Sequence, residues 1–183
     1  MESLSYWYVT AAVLTPLVVW ASWVDYTQRR VPNYLNAIIG LSGMVVHTLW
    51  FGWSGLGTSL LGGLVGLGLL IVPWLAYMMG AGDVKLLAAA GTWLGPWNVL
   101  VAFIIGALIG GVVSVIMIAL ARRWSVAQEN FQLAAIKLSN PKLTFTELGS
   151  VKSLGAKAQL IPYGVPLTAG MLIVLGLRVF QVC

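Results

Sequence analysis

Apolar stretches occupy most of this chain, and they restrict what it can fold into. Of its 183 residues, 60% are hydrophobic and only 8% are charged. A soluble domain carries about 25% charged residues, so this chain cannot cover itself with a water-soluble surface. At roughly 20 residues per spanning helix, about six spans and their connections use the whole length. The sequence therefore predicts an all-α polytopic membrane protein, with residues 1–183 forming a single membrane-embedded domain.

Six apolar stretches are predicted to be transmembrane helices. No Lys or Arg precedes the first stretch, which favours a retained span over a cleaved signal peptide. The fourth stretch is short and ends at Gly95-Pro96, so we expect it either to cross part of the bilayer or to join its neighbour. The stretches lie at residues 6–24, 34–51, 58–79, 84–95, 97–120 and 160–180.

Several residues inside these stretches are predicted to serve packing. Gly62 and Gly66 form one GxxxG pair, and Gly106 and Gly110 form another. Such pairs allow helix backbones to approach each other closely. His47 lies well inside the second stretch, where we expect a hydrogen-bonded packing residue.

The basic residues favour one orientation in the membrane. With the N-terminus outside, residues 25–33, 80–85 and 121–159 face the cytoplasm and hold nine of the ten Lys and Arg residues. Only Arg178 is then outside. Cytoplasmic segments are enriched in Lys and Arg, so this topology is the predicted one. It also accounts for the net charge of +5, so no nucleic-acid partner is expected.

Tryptophan placement is predicted to follow the same topology. Indole rings are enriched at the membrane–water interface. The residues expected near the outer interface are Trp7, Trp50, Trp53, Trp93 and Trp97.

Residues 122–159 form the single long polar connection. They carry six basic and two acidic residues, and apolar residues recur among them at helical spacing. The pattern predicts amphipathic helices that lie on the cytoplasmic leaflet. Anionic lipid attracts such a segment at about 1 kcal/mol per basic group, so membrane lipid is an expected partner.

The scarcity of Cys and His excludes several kinds of site. The chain has one Cys, Cys183, and one His, His47. A single Cys cannot form an internal disulfide or a Cys-x-x-Cys zinc site. A single His removes His-based metal clusters. The sequence therefore implies no metal and no organic cofactor.

The two aspartates of the chain, Asp25 and Asp83, are predicted to lie at the same membrane depth. One ends the first span and the other begins the fourth, both at the cytoplasmic boundary. A carboxylate at membrane depth costs up to roughly 2.5–3.5 kcal/mol on insertion scales, so such residues usually have a function. Two carboxylates that meet hold one proton between them and can activate water against a peptide carbonyl. The alternative is two solvated residues that mark helix ends.

Asp83 lies in a glycine-containing string of the form G-x-G-D-x-K. The string comprises Gly80, Gly82, Asp83 and Lys85. Glycines at these positions allow an irregular backbone that another chain can approach closely. Lys85 is expected either to influence Asp83 or to act as a plain topology signal.

Two further motifs accompany the aspartates. Asp25 stands six residues before Val-Pro-Asn, in which Pro32 ends the turn and Asn33 can cap the next helix. The third motif is Pro162-Tyr163-Gly164, at the start of the last span, where we expect it to border the active cleft.

Together these motifs resemble those of the type IV prepilin peptidases, which are membrane aspartic proteases of the GxGD class. The resemblance runs from Asp25 to Gly170 and so covers most of the chain. It implies that Asp25 and Asp83 are the catalytic pair. It also implies an endopeptidase of the prokaryotic inner membrane, which removes the short basic leader of a prepilin on the cytoplasmic side.

The departures from the family pattern indicate one branch. Long-form members carry an N-terminal cytoplasmic domain with paired cysteines and N-methyltransferase activity, for which this chain has neither the length nor the cysteines. The third motif reads Pro-Tyr-Gly rather than the Phe-Gly-Pro of long forms. The chain is therefore similar to the short form found with tight-adherence (Flp) pili, or to the archaeal preflagellin and prepilin peptidases.

The sequence leaves two questions open: which residues contact the leader, and which class of function the chain has. The leader is itself basic, so Glu129 and Glu147, the only acids of the basic connection, are the candidates for contacting it. The alternative functions are a small proton-coupled transporter and a non-enzymatic pilus assembly factor. A transporter would place its acids near the midplane, often in repeated halves, and the sequence displays neither feature.

Overall fold

The computed structural model describes residues 2–28, 31–75, 80–121 and 164–182. They form four helices: α1 (Glu2–Gln28), α2 (Asn33–Leu75), α3 (Ala81–Ala121) and α4 (Gly164–Val182). All four are long and apolar enough to cross a membrane. The prediction of an all-α membrane protein is confirmed, whereas the predicted amphipathic connection at 122–159 lies outside the described residues.

Two glycines break the long helices. α2 has 43 residues and α3 has 41, and a straight helix of that length would measure about 60 Å, twice the thickness of a hydrocarbon core. The backbone leaves helical geometry at Gly52 (φ 62°, ψ −145°) and at Gly95 (φ 74°, ψ 171°). Glycine adopts a positive φ at little cost, which explains where the breaks fall. The count of six spans remains a prediction.

The segment of α2 before Gly52 runs parallel to the start of α3. Gly40 lies against Ala89, and Gly43 lies against Thr92, so the contacts advance in the same direction along both helices. The Thr92 hydroxyl also donates to the Gly40 carbonyl (3.1 Å). The Thr92 side chain thus links α2 and α3 by a hydrogen bond where the two helices lie close together.

The segment of α2 after Gly52 packs on the same part of α3 in the opposite direction. Gly62 lies against Gly91, and Gly66 lies against Leu87. A Cβ at Gly62 would stand 2.1 Å from the Gly91 carbonyl oxygen, so the two backbones touch there. The chain therefore reverses direction within α2, and the first predicted GxxxG pair lies in a close helix contact.

Helix α4 packs against the segment of α3 that follows Gly95. Gly106 of α3 lies against Leu167, and Gly170 of α4 lies against Ala102. The contacts advance in opposite directions, so the two segments are antiparallel. Small residues again set the distance between the backbones.

Helix α4 is also antiparallel to α1, and this pairing defines the two ends of the bundle. Gly164 lies against Asp25, near the end of α1. The guanidinium of Arg178 lies 5.8 Å from the centroid of the Trp7 ring, near the start of α1. We call the end with Asp25 and Gly164 the aspartate end, and the end with Trp7 and Arg178 the far end.

A buried hydrogen-bond network joins three helices towards the far end. The Tyr6 hydroxyl donates to the Trp93 carbonyl and lies 3.1 Å from His47 Nδ1. Because the Tyr6 hydroxyl donates its proton to the Trp93 carbonyl, the Tyr6 oxygen is the acceptor in its hydrogen bond with the His47 imidazole. His47 is 5% exposed, which confirms its predicted packing role. Trp93 is fully buried and its indole donates to Ile39 O (2.8 Å), so the ring packs inside the bundle; its depth near the outer interface remains a prediction.

Gly62→Ala is expected to lower the free energy of unfolding by about 1–3 kcal/mol, because the added methyl group must displace the Gly91 carbonyl. Gly68→Ala on the same helix is the matched control, since a Cβ there meets nothing within 4 Å. The control should leave stability unchanged or raise it slightly, because alanine favours a helix over glycine. Thermal unfolding in detergent compares the two variants, and equal effects would contradict the close α2–α3 contact.

Candidate active site

Asp25 and Asp83 both lie at the aspartate end of the bundle. Asp25 lies in the last turn of α1, and Asp83 lies in the first turn of α3. Both side chains are buried, with exposed fractions of 7% and 6%. Their carboxylates are close enough for an unfavourable Coulomb interaction. The sequence indicated equal depth for these residues, and the structure brings them together; their catalytic role remains a prediction.

The glycines before Asp83 allow the start of α3 to pack tightly. The Asp83 backbone N–H donates to Gly80 O (3.2 Å), which forms the first turn. A Cβ on Gly82 would stand 3.3 Å from the backbone nitrogen of Val31, in the segment between α1 and α2. The glycine thus lets the aspartate-bearing turn approach the chain that follows Asp25.

Pro32, Asn33 and Lys85 join the start of α2 to α3. The Pro32 carbonyl accepts from Leu35 N (3.1 Å), so Pro32 stands at the cap position of α2. The Asn33 side chain, for which we expected a capping role, accepts instead from Lys85 Nζ through Oδ1 (2.8 Å). Lys85 therefore ties two helices together at the aspartate end.

Gly164 forms one wall of the site. It begins α4, and a Cβ at this position would stand 2.6 Å from Asp25 Oδ2. Only a residue without a side chain fits beside the carboxylate in this arrangement. The neighbouring motif residues Pro162 and Tyr163 lie outside the described residues, as do Glu129 and Glu147.

The buried carboxylates are incompletely hydrogen-bonded. Among the described residues, Asp25 Oδ2 and Asp83 Oδ1 have no hydrogen-bond partner. In the same part of the chain, no group of three or more His, Cys, Asp or Glu could hold a metal ion. Two buried carboxyl groups, each with one oxygen atom that lacks a partner among the described residues, therefore lie at the same end of the bundle.

Two buried polar residues near the site were not singled out from the sequence. Both the Oδ1 and Nδ2 atoms of Asn36 lack a partner among the described residues, and so does the Thr168 hydroxyl. The only available signal was the presence of polar residues inside the second and sixth apolar stretches. Their spacing gave no indication of which way the side chains point.

Fold and site together define a multi-pass helical membrane protein that buries a pair of carboxyl groups at one end. Residues 12–115 match the type IV leader peptidase family, and the matched range contains both aspartates. The chain belongs to this family.

The names of the curated relatives that the chain matches are consistent with this family. The prepilin leader peptidase/N-methyltransferase of Aeromonas hydrophila is 30% identical over 116 residues, which cover 56% of this chain and 39% of the relative. The protein of the same name from Aeromonas salmonicida (strain A449) is also 30% identical over 116 residues, which cover 38% of its length. The matched segment thus spans about two fifths of the length of these relatives. No solved structure matches the chain.

Asp83→Asn and Asp25→Asn are each expected to stabilise the fold at about pH 9, where both carboxyl groups of the parent protein are ionised. Each substitution removes a charge that is buried beside a like charge, while the shape of the side chain is kept. A gain of about 1 kcal/mol corresponds to an increase in Tm of about 2–4 °C for a protein of this size. Asp83→Glu keeps the charge and serves as the control, for which no rise in Tm is expected. A fall in Tm for both Asn variants would contradict the unfavourable interaction.

Proposed function

We propose that this protein is a membrane aspartic endopeptidase that removes the short basic leader of Flp-type prepilins or related pilin-like proteins. The observation that carries the proposal is the buried pair Asp25 and Asp83, in a chain that belongs to the leader peptidase family. The names of the relatives, which combine prepilin leader peptidase with N-methyltransferase, support prepilin as the substrate class.

The proposed chemistry uses one proton shared by the two aspartates. The ionised carboxylate takes a proton from a water molecule, and the resulting hydroxide attacks the scissile carbonyl carbon. The protonated carboxyl group donates its proton to the carbonyl oxygen, which gives a neutral tetrahedral intermediate. The first carboxyl group then gives its proton to the leaving nitrogen, while the second takes a proton from a hydroxyl of the intermediate. The C–N bond breaks, and the pair again holds one proton. Burial beside a like charge supports this division of roles, because both groups cannot ionise cheaply together.

In the proposed topology, the chain crosses the inner membrane of a prokaryote six times. Its N-terminus lies outside, and its aspartate end faces the cytoplasm. The reversal within α2 and the break at Gly95 support this arrangement. Lys85 lies at the aspartate end and Arg178 at the far end, as the distribution of basic residues in the sequence requires. Residues 122–159 would then lie on the cytoplasmic leaflet, bound to anionic lipid.

The proposed substrate is a prepilin with a basic leader that precedes a hydrophobic helix. The Pro-Tyr-Gly form of the motif at 162–164 favours the Flp branch. Glu129 and Glu147 are the proposed contacts for the basic leader, because they are the acids of a connection that otherwise repels it.

Asp25→Ala and Asp83→Ala are each expected to reduce leader cleavage by about 10²–10⁴-fold, the usual contribution of a general acid or base. The measurement is the cleavage of a co-expressed Flp-type prepilin, detected by its mobility and its new N-terminus. Ser42→Ala is the control that should keep the activity, since its hydroxyl bonds to Ile38 O within its own helix.

The parent protein and the control must cleave while both aspartate variants accumulate in the membrane without cleaving. Cleavage by either aspartate variant at the rate of the parent would overturn the catalytic pair. If the parent cleaves none of several prepilins, the peptidase assignment fails, and proton-coupled transport becomes the function to test.

Gly164→Ala is expected to lower leader cleavage by about 10²-fold without loss of the protein from the membrane. The added methyl group displaces the Asp25 carboxylate, and a shift of about 1 Å at a reacting group has this order of effect. Gly176→Ala on the same helix is the matched control, because a Cβ there meets nothing within 4 Å. Equal activities for the two variants would show that Gly164 does not determine the position of Asp25.

A further inference from the structure

Within the described residues, the buried polar atoms that lack a hydrogen-bond partner belong to a few side chains. Six buried side-chain nitrogen and oxygen atoms of the described residues have no hydrogen-bond partner, and five of them belong to Asp25, Asp83, Asn36 and Thr168. Buried polar groups are nearly always hydrogen-bonded, so each exception needs an explanation. The proposed catalytic pair explains the two carboxylates, whereas Asn36 and Thr168 have no part in that chemistry.

Asn36 lies at the aspartate end, on the face of α2 that packs on α3. One turn before it, Asn33 accepts a hydrogen bond from Lys85 of α3. One turn after it, Gly40 lies against Ala89 of α3. Asn36 therefore stands between two α2–α3 contacts.

This position brings Asn36 to the level of the proposed catalytic pair. Lys85 is two residues from Asp83 in the first turns of α3, so Asn36 lies within about one helical turn of Asp83 along the bundle. Asn36 is only 6% exposed, and both its amide nitrogen and its amide oxygen lack a partner within residues 2–28, 31–75, 80–121 and 164–182. A buried amide in this state destabilises the fold unless another molecule completes its hydrogen bonds.

A primary amide presents the same groups as a peptide unit, namely N–H donors and one C=O acceptor. It can therefore pair with the main chain of an extended peptide, whatever side chains the peptide carries. The atoms of Asn36 that lack a partner among the described residues offer this pairing at the level of the two carboxyl groups.

We propose that Asn36 binds the main chain of the substrate beside the scissile bond. Its Nδ2 donates to a peptide carbonyl and its Oδ1 accepts from a peptide N–H, which orients the scissile carbonyl towards Asp25 and Asp83. Thr168, one turn beyond Gly164 on α4, supplies a second polar contact. The assignment rests on the proposed function, since it requires a peptide at the carboxyl groups.

Asn36→Leu tests the assignment, because leucine has nearly the shape of asparagine but cannot form hydrogen bonds. The variant is expected to reduce kcat/KM for prepilin by about 10- to 100-fold, the effect of losing two hydrogen bonds to the substrate. The loss should appear mainly as a higher KM. The Tm should stay at the parent value or rise, because an unsatisfied buried amide is replaced by an apolar group.

Thr92→Val is the matched control, a nearly isosteric change at a buried polar residue with satisfied hydrogen bonds. The Thr92 hydroxyl donates to Ala89 O (2.8 Å) and contacts Gly40 O (3.1 Å). This variant should lower the Tm and leave KM unchanged. The two substitutions thus separate substrate binding from helix packing.

A parent-like KM in Asn36→Leu would overturn the assignment, and so would a lower Tm with KM unchanged. Asn36→Ser keeps a hydroxyl donor and acceptor, and its KM should fall between those of the parent and the leucine variant. Asn36→Ala adds no bulk and carries the same expectation for KM if the leucine variant does not accumulate. The assay uses a prepilin that the parent cleaves and Asp83→Ala does not, so failure of the Asn36 assignment leaves the proposed function intact.

Discussion

Direct backbone contact between α2 and α3 at glycines holds the other elements in place. Apolar side chains give little driving force for helix association in lipid, because the lipid is equally apolar. Van der Waals contact and interhelical hydrogen bonds must supply it instead, and both need close approach. Gly62 and Gly66 provide that approach on one segment of α2, and the Thr92 hydroxyl bonds to Gly40 on the other. The first turns of α3, which carry Asp83, are therefore clamped between two helical segments.

Glycines, which have no side chain, also allow the helix ends that carry Asp25 and Asp83 to approach each other. Gly82 lets the start of α3 approach Val31, and Gly164 lets α4 pack on the Asp25 carboxylate. Each contact moves a helix end inwards and removes water from the carboxyl groups. The bundle thereby maintains a pair of buried, like-charged groups that would separate in a looser structure. The favourable packing along the helices offsets this local cost.

The sequence predicted the elements of this structure better than their orientations. Composition and the lengths of the apolar stretches predicted an all-α membrane protein, and Gly95-Pro96 indicated the break in α3. The helices are apolar around most of their circumference, so periodicity does not indicate which face meets a neighbour. For this reason the burial of Trp93 was not predicted. The expectation that the motif at 162–164 borders the cleft likewise did not specify the contact between Gly164 and Asp25. The bond between Lys85 and Asn33 likewise depends on helix rotation rather than on local pattern.

The pairing of α1 with α4 has a consequence for biosynthesis. Asp25 belongs to the first of the four described helices to be synthesised, whereas Gly164, which packs on its carboxylate, begins the last of them. Translation must pass through α2, α3 and the long polar connection before the wall beside Asp25 exists. The site is therefore assembled only after the other three helices have been synthesised. Docking of the last described helix is therefore the step that completes the surroundings of Asp25.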